Sequence, residues 1–151
     1  MKIYNYIIQG KGVEKAKALE NLQRQAIFLT NSYHAHQAML PFMDEKPVTV
    51  EYAISMKQET EKFWRNWEKN RCEIKVKLVD DQKLPEVYKE IKSFVPDTKT
   101  PEQPLGMYWL ANLEDSIPSA ELVKRSPKEM SEAIHTLSLW VDVENTPFLA
   151  E

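Results

Sequence analysis

The sequence predicts an α/β or α+β domain, a single layered unit in which helices pack on one sheet of four or five strands. Three observations carry that expectation. Short stretches of apolar residues at a period of two alternate with longer stretches at helical spacing, and no two strands are joined by a two-residue hairpin. The chain also has 151 residues, 42% of them apolar and 28% charged, which is the makeup of one soluble globular domain. A chain of that length buries roughly 70% of the surface it exposes when unfolded, so its fold needs no metal or disulfide.

Lys2 to Gln9 opens the chain as a strand with large apolar groups on both faces, which suits an interior strand. Gly10-Lys11-Gly12 then breaks the strand and begins a long helix. Its stripe of Leu19, Leu22, Ala26, Leu29, Tyr33 and Leu40 recurs at spacings of three, four and seven, until Pro41 ends it. Thr30-Asn31-Ser32 is placed to kink this helix, because such side chains compete for backbone hydrogen bonds.

Val48 to Met56 alternates as a half-buried strand, and Gln58 to Arg71 forms a helix with Phe63, Trp64 and Trp67 on one side. Cys72 to Val79 is the cleanest strand, with Ile74, Val76 and Leu78 opposite Glu73, Lys75 and Lys77. Leu84 to Val95 reads as an amphipathic helix. Residues 96–106 hold three prolines and form a surface loop, followed by a buried strand from Met107 to Leu113. Ser126-Pro127-Lys128-Glu129 is a helix start, with a serine cap, proline in the first position and glutamate reaching back. Its periodicity predicts a helix to about Trp140, with Met130, Ala133, Ile134 and Leu137 inward, then a short edge strand at Val141–Val143.

Composition excludes several classes. No run approaches the ~18 apolar residues of a membrane span, and Lys2 to Ile8 is too short and polar for a signal peptide. Cys72 stands alone, which rules out an internal disulfide and a cysteine-only zinc site, so a cytoplasmic address is expected. Residues 1–92 carry 16 basic and 13 acidic residues, while residues 93–151 carry 4 and 10. Neither part is an acidic tail or a basic arm, and the isoelectric point of 5.7 is low for a nucleic-acid binder.

Candidate chemistry is sparse. Gly10, Lys11 and Gly12, between a strand and a helix, allow backbone amides and a helix N-terminus to approach a phosphate. The dinucleotide fingerprint fails, because Lys15 stands where its third small residue belongs, and a plain turn is the simpler expectation. His34 and His36 would diverge by ~200° on a helix and so cannot share a metal ion. His135, with Ser131 and Ser138, is expected on the solvent side of the last helix. The two-histidine phosphodiesterase pattern is not met, because neither His34 nor His135 is followed two residues on by Ser or Thr. Cys72 is expected to be a structural thiol. Tyr4, Tyr6, Lys75 and Lys77 are the residues a single-stranded nucleic acid would use. Ile27 and Phe28 lie to either side of the helix stripe, which points to contact with a protein partner or a second copy.

With no convergent catalytic set, the leading expectation is a small binding or inhibitory protein that acts by protein–protein contact, without cofactor or metal, through Ile27 and Phe28. The alternative is binding or hydrolysis of a small phosphorylated, nucleotide-like ligand at Gly10, Lys11 and Gly12 with His135. Weak single-stranded nucleic-acid binding is the third.

Overall fold

A computed structural model describes residues 2–39, 50–87, 89, 109–114 and 116–143. In chain order they form β1 (Ile3–Lys11), α1 (Gly12–Met39), α2 (Val50–Asn70), β2 (Glu73–Leu78), a 3-10 turn (Asp81–Lys83), β3 (Trp109–Glu114), α3 (Ser119–Leu122), α4 (Pro127–Glu132) and β4 (Ile134–Asp142). The four strands make one antiparallel sheet in the order β2-β1-β4-β3. The fold is therefore α+β, with β1 and β4 interior.

Successive side chains of a strand point to opposite faces, so the register sorts the sheet residues. Tyr6, Ile8, Leu137, Leu139, Val141, Trp109 and Ala111 share the face on which α1 and α2 pack. From α1 come Leu19, Leu22, Ala26 and Leu29, the expected stripe, and from α2 come Phe63, Trp64 and Trp67. The aromatic side chains meet edge to face, Phe63 against Trp109 at 4.9 Å and Tyr6 against Trp67 at 5.3 Å between ring centroids. That geometry sets a positive ring edge on a negative face, and such pairs contribute about 0.5–1.5 kcal/mol beyond their buried area. On the opposite face, Ile3, Leu110 and Trp140 form a smaller core with Val79 and Val87. Val87 belongs to the helical residues 84–87, which with residue 89 are the described part of the helix expected over Leu84 to Val95. The loop at 96–106 lies outside the described residues.

Two expected elements are different in the structure. Val50 to Met56 is helix, not strand. Its alternation is outweighed by a longer stripe: Met56, Thr60, Phe63, Trp64 and Trp67 are all buried, at spacings of four, three, one and three. The Thr60 hydroxyl donates to the Met56 carbonyl at 2.7 Å, which spares a buried hydroxyl from going unpaired.

The larger correction is at the C-terminal end. The last helix stops at Glu132, and Ile134–Asp142 is a nine-residue strand paired with both β1 and β3. Leu137 to Asp142 are buried without a break, on both sides of the sheet. An amphipathic helix has no place for that, whereas a central strand covered on both faces requires it. Val141–Val143 is accordingly no separate edge strand: Val141 and Asp142 belong to β4, and the Val143 N–H donates to the Lys2 carbonyl.

The helix start was legible. Ser126 caps α4, its hydroxyl accepting from the Glu129 N–H at 3.3 Å and donating to the Glu129 carboxylate at 3.1 Å. The glycines act otherwise than expected. β1 runs through Gly10 and Lys11, and the chain turns only at Gly12, where φ is +87°. An L side chain rarely adopts that angle, so glycine is required at this entry to α1. At Gly10 a Cβ would overlap the Lys15 side chain, which lies across the strand there.

The sheet has two outer edges, treated differently. At β3, the Thr30 hydroxyl of α1 accepts from the Trp109 N–H at 2.9 Å and donates to the Trp109 carbonyl at 2.5 Å. Gln23 donates to the Ala111 carbonyl at 3.4 Å. Thr30 therefore does not interrupt α1, which is helical throughout Gly12–Met39; it fastens the helix to a strand edge. At β2, every residue from Glu73 to Leu78 is exposed.

Candidate functional site

The strongest candidate is a cleft of about 480 Å³ between α1, β4 and the connection from β3 to α3. Its walls include Glu20, Arg24, Ser116, Ser119 and His135. That volume lies within the ~300–1,000 Å³ of small-molecule sites.

Each side chain has a local reason to be there. Glu20 is on the inner flank of α1, one residue from the buried Leu19. Its carboxylate accepts from the Ser119 N–H and from the Ser119 hydroxyl, both at 2.8 Å. The residue preceding α3 is Pro118, which has no side-chain cap to offer, so Glu20 caps this short helix from across the fold. Ser116 accepts from the Thr136 N–H at 3.3 Å and donates to the Glu114 carbonyl at 3.2 Å, tying β3 to β4 beyond the ladder. Arg24 is exposed on α1 and forms no ion pair among the described residues.

His135 is the least settled member. It was expected to face solvent and is only 1% exposed. The cause is the element it sits on: in β4 it shares the helix-covered face with Leu137, whereas on a helix it would have pointed away. Its Nε2 is buried and has no hydrogen-bond partner in the protein. Burial holds the imidazole below its usual pKa, opposed by the nearby Glu20 carboxylate, so the ring is neutral at pH 7. Three other buried polar atoms share this condition: Asn5 Oδ1, Trp64 Nε1 and Trp109 Nε1. The two indoles belong to the aromatic cluster, and of the four residues His135 alone lines the cleft.

Serine, histidine and glutamate in one cleft are the residue types of a hydrolase triad, but the connections differ. In a triad the imidazole takes the serine proton and the carboxylate orients the imidazole. Here the Ser119 hydroxyl donates directly to Glu20, and His135 Nε2 bonds to neither. No group of three or more His, Cys, Asp and Glu side chains suited to a metal ion occurs among the described residues.

The other residues singled out in the sequence are distributed as follows. Gly10 pairs with His135 and Lys11 with Ile134 in the β1–β4 ladder, so both come close to the cleft along the sheet. None of Gly10, Lys11 and Gly12 lines it, and the Gly12 N–H is taken by the Ala133 carbonyl at 3.0 Å. Phe28 is 54% exposed and Ile27 is half-buried; Phe28 borders a shallow groove with Arg24 and Glu59. Tyr4 and Tyr6 lie on the helix-covered face, Lys75 and Lys77 on the other, so the expected aromatic and basic groups do not converge. Cys72 is exposed, not a buried structural thiol. His34 and His36 are on α1, and their side chains lie outside the described residues. Glu20, Arg24, Ser116 and Ser119 were not singled out from sequence. Glu20 and Ser119 are 99 positions apart, and no local pattern announces their contact.

No helix among the described residues is long and apolar enough to cross a membrane. Compared with protein-family models, curated proteins and solved structures, the chain matches none.

Proposed function

We propose that this chain is a binding protein that holds a small anionic molecule non-covalently in the His135 cleft. The observation that carries the reading is the buried, unpartnered Nε2 of His135 in the wall of a cleft where Glu20, Ser116 and Ser119 are already bonded. A buried polar atom without a partner costs about 1–3 kcal/mol, and a ligand that bonds to it recovers part of that cost. Arg24, free of ion pairs among the described residues, supplies the positive charge at the cleft. Glu20 and Ser119 satisfy each other and serve as a rigid wall. This deepens the phosphorylated-ligand expectation and moves it from the Gly10–Gly12 segment to the cleft. The exposed thiol of Cys72 fits a reducing, cytoplasmic compartment.

The test is thermal unfolding against inorganic phosphate, simple carboxylates and nucleotides. A ligand at 100 times its dissociation constant stabilises by about 2.7 kcal/mol. The expected result is a concentration-dependent rise in Tm for at least one of these anions, lost in Arg24→Ala and in His135→Leu. If none of them shifts Tm at millimolar concentration, the reading fails.

The second reading is protein–protein contact through α1, which the exposure of Phe28 favours. Loss of a bound protein from the Ile27→Glu, Phe28→Lys double variant, with the fold retained, is its expected mark.

A further inference from the structure

We infer that the outer edge of β2 pairs with the same edge of a second copy of this chain, antiparallel, in a register centred on Lys75. Antiparallel pairing about a two-fold axis perpendicular to the sheet would join the two sheets into one of eight strands.

The contrast between the two edges is the first ground. An unpaired strand edge is a template for another strand, and proteins ordinarily cover or blunt it. Thr30 and Gln23 cover the β3 edge, while nothing among the described residues bonds to the outer edge of β2. The same strand carries an apolar row, with Ile74 36%, Val76 50% and Leu78 54% exposed.

The second ground is which backbone groups are free. The Val79 N–H donates to the Ile3 carbonyl at 2.8 Å, so residue 79 points toward β1. Peptide groups alternate along a strand, so 77, 75 and 73 also point toward β1, and the N–H and C=O groups of Ile74, Val76 and Leu78 point outward. The apolar row and the free backbone groups therefore belong to the same three residues.

Charge then selects the occupant and the register. For the apolar row to stay on one face in both copies, facing residues must both be even-numbered or both odd-numbered. Within Glu73–Leu78, two registers of that kind give the longest overlap, centred on Lys75 or on Val76. Centred on Val76, Lys75 would face the other copy's Lys77 twice. Centred on Lys75, Glu73 faces the other copy's Lys77 twice, Ile74 faces Val76 twice, and a single Lys75 pair meets at the axis. Opposite charges directly across a strand pair are favourable and like charges unfavourable, so the second arrangement prevails. Its hydrogen bonds join Ile74 to Val76 of the other copy, through the groups shown to be free.

The experiment is sedimentation equilibrium of the full chain beside three variants. Val76→Pro removes an outward N–H without touching the β1 ladder, and proline is tolerated on an edge strand. Lys77→Glu leaves the backbone alone and turns two opposite-charge pairs into like-charge pairs. Phe28→Lys alters the exposed α1 side chain instead. The expected result is a dimer that Val76→Pro converts to a monomer with unchanged circular dichroism. Lys77→Glu should weaken it on the order of tenfold, and Phe28→Lys should leave it intact. A native chain that remains monomeric at 100 µM overturns the inference, as does a dimer that survives Val76→Pro, tightens with Lys77→Glu or dissociates with Phe28→Lys.

Discussion

At the scale of single residues, His135 makes the sharpest predictions, because it places a titratable polar ring in a buried position. Burial lowers its pKa in the folded state, so on acidification the unfolded chain takes up a proton before the folded one does. Stability should therefore be fully present above the unfolded value of about 6.5 and fall as pH drops from there toward the folded pKa. His135→Leu should flatten that slope and raise stability at pH 7 by about 1 kcal/mol, since it removes a buried group that has no partner. Urea unfolding of both chains from pH 7.5 to 5 measures the effect; a destabilised leucine variant would mean that Nε2 is satisfied in solution. Cys72 makes a simpler prediction. It is exposed at the start of β2, so a maleimide should label it at nearly the same rate in native and denatured protein. Slow native labelling would contradict that exposure.

At the scale of elements, the fold depends on a few side chains that hold one piece against another. Thr30→Val keeps the volume but leaves the Trp109 N–H and C=O without the hydroxyl that satisfies them. The expected cost is about 1–3 kcal/mol in urea unfolding, more than for a threonine on an open helix face. Ser126→Ala removes the α4 cap and should cost about 1 kcal/mol. If Thr30→Val proves the milder of the two, α1 does not depend on that bond to hold β3. The elements also show why the sequence of β4 predicts a helix. Met130, Ala133, Ile134 and Leu137 fit a helical stripe, while His135, Leu137, Leu139 and Val141 fit an alternating strand, and the two patterns overlap at Leu137. Pairing with two neighbours and burial of both faces decided between them.

At the scale of the whole molecule, β1 and β4 pair on both sides and carry both cores, so opening either one disrupts the rest. Their amides should exchange slowest with deuterium and near the rate of global unfolding, while the one-turn α3 exchanges fastest. Slower exchange in α2 than in β4 would show that the helices, not the sheet, are the last structure to open. The sequence by itself left α/β and α+β open until the antiparallel pairing decided for α+β. It determined a layered fold of helices on one sheet of four or five strands, the interior position of β1, the faces of β2, the α1 stripe and the start of α4. These rest on interactions within a few residues, or on periodicity that one element settles alone. Tertiary structure decided the rest: that Val50–Met56 joins α2, that β4 is a central strand, and that His135 turns inward toward Glu20, Arg24 and Ser119. Those outcomes depend on partners far apart in the chain, as with Glu20 and Ser119 at 99 positions, and a local pattern holds no record of a distant partner.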